Sequence, residues 1–445
     1  MLKKIVRKLD IDFDIGNTLL LRIWSTVSGG LLVLMIPVFL SSAEQGYYFT
    51  FSSIIAMQVF FELGFNFVIT QMISHEMVKV SLVNNKLVGN ENSINRIYSL
   101  IRMLLKWYSV VSILFFIVVF FVGVHFFSVK GSLLRGDWII AWTLITLFSA
   151  INLFVSPFFS VLEGIGLVGR VAQVRLFQSI LGYSLLACLF LFHYKLNALP
   201  AISGSAALIG LGFLFHHYYP ILFGPIKKII HDEKISWRRE IFPFQWRMAL
   251  SWLSGYLIFQ LFNPLIFANQ GAIEAGRVGL SLAIFSTILT LSISWVNAKV
   301  PALSKLISAK NKKEINTLFA NLLIKSTAAN VFFSTSFIIM VCILKYYEFS
   351  LIERLVSIDI LIMMAIITLV NHIIYCCATY MRAHKEEPML FNSIVTGILV
   401  GLSVYFSSKV SVSVTILSYF SILFFICLPW TVVLFNKYYR KNKLF

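Results

Sequence analysis

Residues 19–40 read LLLRIWSTVSGGLLVLMIPVFL, an apolar run of bilayer length that a single arginine interrupts near its start. About twelve such runs follow one another as far as residue 435, and no stretch between them has the mixed polar character of a soluble domain. A run of roughly 18 or more apolar residues is typical of a transmembrane helix. The chain is therefore predicted to be an integral membrane protein that lies almost entirely within the bilayer.

The predicted spans are continuously apolar and lack the alternation of barrel strands, so we expect helices, which satisfy their own backbone hydrogen bonds in lipid. The spans are Leu19–Leu40, Tyr47–Ile73, Trp107–Phe127, Asp137–Phe159, Ala172–His193, Leu199–Phe223, Met248–Ala268, Gly276–Ala298, Ser326–Leu344, Ile358–Tyr380, Leu390–Phe406 and Val412–Phe435. The connectors 74–106 and 299–325 occupy matching places and are predicted to form amphipathic helices at the membrane surface.

Basic residues set the predicted orientation. With a cytoplasmic N-terminus, 29 of the 37 Lys and Arg residues lie in segments that face the cytoplasm. This is a strong positive-inside asymmetry, and it places both termini in the cytoplasm. Topology also explains most of the net charge of +18, so the basic balance does not require a nucleic-acid partner.

Motifs for other protein classes are missing from the sequence. The five cysteines all lie inside apolar spans and show neither a disulfide framework nor zinc spacing. There is no P-loop and no H-E-x-x-H sequence. We therefore expect no metal, no cofactor and no catalytic residue, which favours a transporter over an enzyme.

Landmarks in the first half of the chain recur in the second half. Ser28-Gly29 in the first span returns as Ser254-Gly255 in the seventh, 226 positions later, and Arg22 and Arg247 are 225 positions apart. Because small residues also promote close helix packing, chance recurrence is the alternative explanation. The collinear order favours an internal duplication.

The duplication predicts an all-α polytopic fold of two pseudo-symmetric six-helix bundles around a central polar cavity. The predicted N-terminal bundle comprises residues 1–223, a basic cytoplasmic linker follows at 224–247, and the C-terminal bundle comprises residues 248–445. An even number of helices in each half makes the repeat parallel. Parallel repeats of this kind are a transporter architecture, with the substrate path between the halves.

Six of the predicted spans carry polar residues every three or four positions, so each set lies on one helix face. The six polar stripes are Thr18, Arg22, Ser25 and Gly29; Gln58, Glu62, Asn66 and Thr70; Ser149, Asn152, Ser156 and Ser160; Arg247, Ser251, Ser254 and Gly255; Ser286, Thr290, Ser294 and Asn297; and Thr368, Asn371, His372, Tyr375 and Thr379. Three stripes from each half are predicted to line the central cavity.

Ionisable residues in these stripes are functional candidates because charge inside a bilayer is costly. Glu62 lies near mid-membrane, where it either faces the cavity or forms an interhelical pair. Arg22 and Arg247 are candidates to bind phosphate oxygens through their guanidinium groups. The alternative is that these side chains snorkel to the membrane interface, and Arg247 lies closer to a helix end than Arg22 does. His372 has two possible roles: it could titrate near neutral pH, or it could form a structural hydrogen bond.

Five segments carry a family resemblance. They are Ala43–Phe51 (AEQGYYFTF), Glu62–Phe65 (ELGF), Gln245–Tyr256 with its QWR and SWLSGY sequences, Asn263-Pro264, and Ser294–Pro301 (SWVNAKVP). Together they resemble the O-antigen flippases of the multidrug/oligosaccharidyl-lipid/polysaccharide (MOP) exporter superfamily, across the whole length of the chain.

The resemblance implies a substrate and a direction. An undecaprenyl-diphosphate-linked oligosaccharide, one repeat unit of a surface polysaccharide, would move by alternating access from the inner to the outer leaflet of the bacterial cytoplasmic membrane. The implied partners are this substrate, membrane lipids, and the polysaccharide polymerase and chain-length regulator. The predicted lumen contacts are Arg22, Ser25, Gln58, Asn66, Asn152, Arg247, Ser251, Asn371 and His372, and Glu62 is the candidate ion-coupling residue.

Three alternatives remain open at this point. A multidrug or cation antiporter of the same superfamily would share the architecture. A polysaccharide polymerase would typically show a long loop outside the membrane, whereas the largest predicted outside loop, residues 345–357, is short. A scaffold without transport activity would have little use for buried polar stripes and Glu62.

Overall fold

The computed structural model describes residues 13–83, 85–222, 236–309, 312–384 and 388–441, and these residues are predominantly helical. The helices of more than five residues are α1 (Phe13–Phe39), α2 (Ser42–Ile55), α3 (Phe65–Glu76), α4 (Glu91–Lys130), α5 (Arg135–Gly164), α6 (Val168–Leu191), α7 (Pro200–His217), α8 (Phe242–Phe259), α9 (Phe262–Gln270), α10 (Ala272–Asn297), α11 (Val300–Ser308), α12 (Lys312–Tyr346), α13 (Ile358–Ala383), α14 (Leu390–Ser407), α15 (Val412–Ile422) and α16 (Leu428–Lys441).

The number of membrane-length helices agrees with the sequence. Within the described residues, eleven helical segments are long and apolar enough to cross a bilayer, and a bent pair, Ser42–Glu62 with Phe65–Lys79, makes a twelfth. Each predicted span overlaps one of these segments. The prediction of a multi-pass, all-α membrane protein is therefore confirmed.

The connector after the second span departs from the prediction of an amphipathic helix. Instead, β1 (Val80–Val83) and β2 (Lys86–Gly89) pair as an antiparallel hairpin, with Val80 opposite Gly89. Val-rich sequence favours strands, and Asn85 adopts a left-handed φ of 57° in the turn, which asparagine tolerates well. In the matching connector of the second half, α11 is helical as predicted.

An arginine closes the base of this hairpin. The Nε atom of Arg96 lies 2.7 Å from Oε1 of Glu76, so one ion pair joins the helices before and after the hairpin. The same guanidinium also donates to Glu240. Partial burial raises the pKa of Glu240, but the hydrogen bonds from the Ser236 N–H group and from Arg96 outweigh burial and hold that pKa below its usual value.

The segment 41–46, which overlaps the resembling segment Ala43–Phe51, has a clear local role. The Ser41 N–H group donates to Oε2 of Glu44 at 2.7 Å, and the Glu44 N–H group donates back to the Ser41 hydroxyl at 3.3 Å. This reciprocal pair is a capping box that starts α2. The next residue, Gln45, is buried and donates its side-chain amide to the carbonyl of Gly276 at 2.8 Å. The segment therefore fixes the start of α2 against α10.

The chain divides into two compact units. Unit 1 contains Met1–Ser28, Ile54–Val129 and Leu133–Trp252, and unit 2 contains Gly29–Ser53, Lys130–Ser132 and Leu253–Phe445. The last part of α1 and most of α2 therefore pack with the helices of the second half. The predicted linker at 224–247 lies in large part outside the described residues.

Candidate functional site

In unit 1, the second predicted span breaks immediately after Glu62. Leu63 and Gly64 both adopt left-handed conformations, with φ of 49° and 68°, and the helical segments on either side bend by 43°. A Cβ atom on Gly64 would lie only 3.1 Å from Cβ of Met248 and 3.3 Å from the indole of Trp252. Glycine is thus favoured here by both conformation and space, whereas a left-handed leucine costs on the order of 1–2 kcal/mol.

The carboxylate of Glu62 is held by neutral donors. It accepts a hydrogen bond from the side-chain amide of Gln58, one helical turn earlier, and the Ser156 hydroxyl of α5 lies 3.5 Å away. Among the described residues no Lys, Arg or His forms an ion pair with Glu62. The structure therefore shows a contact between Glu62 and a hydroxyl group of another helix, and a role for Glu62 in a transport cavity stays a prediction.

A ladder of hydrogen bonds continues from this point between α3 and α5. Asn66 donates to the Ser156 hydroxyl at 3.1 Å, Thr70 donates to the Ser160 carbonyl at 3.2 Å, and Ser74 donates to the carbonyl of Gly164 at 3.3 Å. The rungs are four residues apart on both helices because that spacing keeps side chains on one face. The ladder joins the stripes of the second and fourth predicted spans and places Glu62 at its end.

The other predicted lumen contacts of unit 1 lie apart from this ladder. Arg22 and Ser25 are exposed on α1. Arg247 is exposed at the start of α8, with its guanidinium carbon 5.6 Å from the ring centre of Trp246, and Ser251 is half-buried one turn later. Asn152 donates to the Ser203 carbonyl of α7 at 3.0 Å, so its side-chain amide joins two helices.

Unit 2 contains a cavity of about 590 Å³. Two predicted stripes supply much of its wall, one from α10 and one from α13, and Asn371 is the predicted lumen contact that lines it. Its polar lining residues are Ser52, Ser53, Gln260, Asn263, Ser286, Thr290, Asn297, Thr368, Asn371, Tyr375 and Tyr419, and its aromatic apolar ones are Phe49, Phe259 and Phe285. No charged side chain is among the described residues that line the cavity.

The amides of the cavity are oriented by hydrogen bonds. Asn263 donates to the Ser53 hydroxyl at 3.3 Å, and Asn371 donates to the Tyr419 hydroxyl at 3.3 Å. The Oδ1 atom of Asn263 is buried and accepts no hydrogen bond from the described residues. A buried acceptor without a donor is costly, so this oxygen is a polar group whose hydrogen-bonding need the described residues leave unmet.

His372 points elsewhere. Its ring is fully buried, and Nε2 lies 3.1 Å from the Ser326 hydroxyl of α12 and 3.6 Å from Sγ of Cys376. His372 is absent from the described lining of the unit 2 cavity. The structure therefore shows the structural hydrogen bond that the sequence left open as the alternative. A role in substrate contact stays a prediction.

Several cavity residues were missed from the sequence. Gln260, Asn263 and Tyr419 belong to none of the six predicted stripes. Helical spacing could have marked them, because Gln260 and Asn263 are three positions apart and Thr415 and Tyr419 are four. A second signal was Asn263-Pro264, which belongs to the resembling segments. Proline inside a membrane helix frees a backbone carbonyl that neighbouring polar groups satisfy.

No protein-family model and no curated protein matches the sequence. Solved structures do match. An inward-facing multidrug resistance MATE family transporter of the MOP superfamily is 12% identical, covers 95% of each chain and gives a TM-score of 0.62. The lipid II flippase MurJ is 15% identical over 96% of this chain and 90% of its own, with a TM-score of 0.60. The MATE multidrug transporter DinF-BH, solved in a complex, is 14% identical over 96% and 95%, with a TM-score of 0.58.

The chain has the fold of MOP superfamily transporters. This fold consists of two six-helix bundles, which confirms the predicted fold class.

Proposed function

We propose that the protein is a flippase that moves undecaprenyl-diphosphate-linked oligosaccharides, the repeat units of O antigen or of another surface polysaccharide, from the cytoplasmic to the periplasmic leaflet of the bacterial inner membrane. The observation that carries this proposal is the uncharged cavity of unit 2. Its wall combines amides, hydroxyls and aromatic rings. Sugars present hydroxyl groups and apolar C–H faces, which these side chains complement.

The similarity to MurJ supports the same class of cargo. MurJ is described as a lipid II flippase, and its structure matches this chain over almost the full length of both. An oligosaccharide and a diphosphate are the parts of a lipid-linked substrate that the bilayer core rejects. A cavity of neutral polar groups offers the sugars a substitute for water.

The diphosphate requires cations. Arg22 is exposed on α1 and has no carboxylate partner among the described residues. Its planar guanidinium binds two phosphate oxygens at once, which a lysine cannot do. We propose that the diphosphate binds to Arg22 and Arg247, the cationic residues of the first and seventh predicted spans.

Glu62 is the proposed ion-coupling residue. It lies at the break in its span and is hydrogen-bonded by Gln58 and Ser156 without a cation in the described part of the chain. A carboxylate in such a place binds and releases a proton or a sodium ion when access alternates between the two sides. Gln58, Asn66 and Ser156 would then set the affinity of the site.

The decisive experiment uses a strain that lacks this protein. Single lipid-linked repeat units should accumulate on the cytoplasmic leaflet, and surface polysaccharide should be lost. Wild-type protein and the control variant Arg135→Ala should restore both, whereas Arg22→Ala should not. Arg135 is a suitable control because it is also an exposed arginine in a helix of unit 1. Units that reach the outer leaflet but fail to lengthen would instead identify a polymerase.

A multidrug or cation antiporter is the second candidate. Glu62 favours it, since a carboxylate without a basic partner in the described residues attracts cationic compounds as well as protons. The matching DinF-BH structure is that of a multidrug transporter, and the fluorescent cation ethidium provides a probe for the same activity here. Two results together would establish this function in place of flipping. The deletion strain would keep its surface polysaccharide, and it would retain more ethidium unless it were supplied with protein that contains Glu62.

The proposed function also implies an orientation in the membrane and two partner proteins. We place both termini in the cytoplasm, from the positive-inside asymmetry, and expect a polysaccharide polymerase and a chain-length regulator to act on the flipped units. Single cysteines introduced near each terminus, and labelled in intact and in opened cells, test this orientation.

A further inference from the structure

Three adjacent cavities meet at one end of α6 and α7 in unit 1. They measure about 450, 640 and 500 Å³. The first two share Gln173, Phe213 and His217, and the first and third share Arg170. Because these residues connect the cavities, we treat them as one groove, the α6–α7 groove, with a polar mouth and an apolar slot.

The mouth of the groove contains a guanidinium group and an imidazole ring. Arg170 lies in the first turn of α6, and His217 is the last residue of α7, so both stand at the same end of an antiparallel helix pair. Arg170 forms no ion pair with any described carboxylate. The carboxylate of Asp14, which lies against this turn, instead accepts a hydrogen bond from the Gly169 N–H group at 2.9 Å.

The slot of the groove is apolar and leads away from this mouth along both helices. Leu176, Phe177 and Ile180 of α6 face it together with Ile209 of α7. Gly212 of α7 widens it, since a Cβ atom on Gly212 would meet no atom within 4 Å. A long hydrocarbon chain fits such a slot, whereas a soluble anion would leave it unfilled.

We propose that the α6–α7 groove binds an anionic phospholipid of the surrounding membrane, with the phosphate at Arg170 and His217 and one acyl chain in the slot. Charge complementarity selects an anionic head, because guanidinium binds phosphate oxygens in two-pronged geometry. The position at helix ends matches the depth of lipid headgroups. This site is separate from the transport site proposed above and needs no particular transport substrate.

A bound lipid should stabilise the β1–β2 hairpin, because the hairpin contacts the mouth of the groove. Asn85 donates its side-chain amide to the His217 carbonyl at 3.2 Å, and Leu82 and Asn85 line the cavity that adjoins Arg170. A phospholipid at the mouth would therefore hold β1 and β2 against the end of α7. We expect protease cleavage in residues 80–89 to slow when the lipid is bound.

Native mass spectrometry of the full-length protein in detergent tests the site. Phosphatidylglycerol should be retained in preference to phosphatidylcholine, one molecule for each chain at low lipid excess. The double variant Arg170→Gln/His217→Gln should weaken phosphatidylglycerol retention by about tenfold, which is about 1.4 kcal/mol. Gly212→Phe should block the slot and reduce retention of both lipids.

Two variants of unit 1 serve as matched controls. Arg135→Gln removes an exposed arginine at another helix start, and Gly136→Phe enlarges another glycine whose Cβ position is open. Both should retain phosphatidylglycerol as wild type does. Equal retention of the two lipids by wild type, or unchanged retention by both groove variants, would overturn the proposal.

Other occupants give different results in the same spectra. Displacement of phosphatidylglycerol by excess inorganic phosphate would show a soluble-anion site, and displacement by equimolar undecaprenyl phosphate would assign the groove to the transported lipid. A dimer of the wild-type protein that dissociates in the Gly212→Phe variant would show that a second copy of the chain covers the slot. Each of these results would refute phospholipid binding and leave the flippase proposal to its own test.

Discussion

Substitution of Gly164 by alanine should break the contact that holds α3 on α5. A Cβ atom at this position would lie 2.7 Å from Cβ and 2.9 Å from Cγ2 of Ile73, and 3.0 Å from the backbone oxygen of Thr70. None of these atoms is the free end of a flexible side chain, so the helices themselves must separate. Small residues at such crossings are what allows membrane helices to approach closely.

The expected magnitude combines two destabilising effects and one stabilising effect. Overpacking by one methyl group costs typically about 1–3 kcal/mol. Separation also lengthens the hydrogen bond from Ser74 to the Gly164 carbonyl, and interhelical hydrogen bonds in membrane proteins are worth about 0.6 kcal/mol. Replacing glycine in a helix recovers at most about 0.5–1 kcal/mol, and less at Gly164, the final residue of α5. The net loss should be about 1–3 kcal/mol.

Gly136→Ala supplies the matched control, because Gly136 is the second residue of the same helix and its Cβ position is open. Thermal unfolding of both variants in detergent, followed by circular dichroism, should place Gly164→Ala several degrees below wild type and Gly136→Ala at or slightly above it. Equal melting temperatures for the two variants would show that α3 and α5 are not in close contact at Gly164, and the reasoning would be refuted.

Three further substitutions test other parts of the structure. Gly64→Ala should destabilise the protein by about 1–3 kcal/mol, measured by thermal unfolding, since alanine must adopt a left-handed conformation beside Trp252; wild-type stability would contradict the break after Glu62. Glu62→Gln should keep its hydrogen bonds and leave the melting temperature nearly unchanged, while transport measured in vesicles loses its pH dependence; normal transport with unaltered pH dependence would remove Glu62 from the coupling mechanism. Glu240→Gln should cost less than about 1 kcal/mol near neutral pH, because the Arg96 pair is accessible to solvent. Since the pKa of Glu240 is lowered in the folded protein, this stabilisation is present above the unfolded pKa of about 4.3 and is lost as the pH falls through the folded value. The melting-temperature difference between wild type and Glu240→Gln should vanish in strong acid, and a difference that persists there would exclude the ion pair as its cause.

The membrane helices were predictable because lipid imposes a length and a composition on any segment that crosses it. The stripe periodicity also correctly brought Ser286, Thr290 and Asn297 to one wall, and Thr368 and Asn371 to another wall of the same cavity. A helix has 3.6 residues in each turn whatever surrounds it, so residues that share a face can be identified without knowing their neighbours.

Which helix a polar face meets was decided only in three dimensions. Asn371 and His372 are adjacent in sequence, yet Asn371 lines the unit 2 cavity and His372 is buried against Ser326. Consecutive residues on a helix point about 100° apart, so both directions were open until α12 and the last helices had packed. Tyr419 also lies in the cavity wall, although its helix supplied none of the six predicted stripes.

Local backbone breaks were equally hidden. Leu63 carries no signal for a left-handed conformation, and the close approach of Gly64 to Met248 and Trp252 of α8 is visible only in the folded chain. The ion pair between Arg96 and Glu76 across the base of the hairpin likewise joins residues 20 positions apart. The sequence by itself determined what must lie in the membrane, because transfer into lipid depends on each segment's own composition. Tertiary structure decided which polar groups meet, because contacts between distant segments depend on how helices pack.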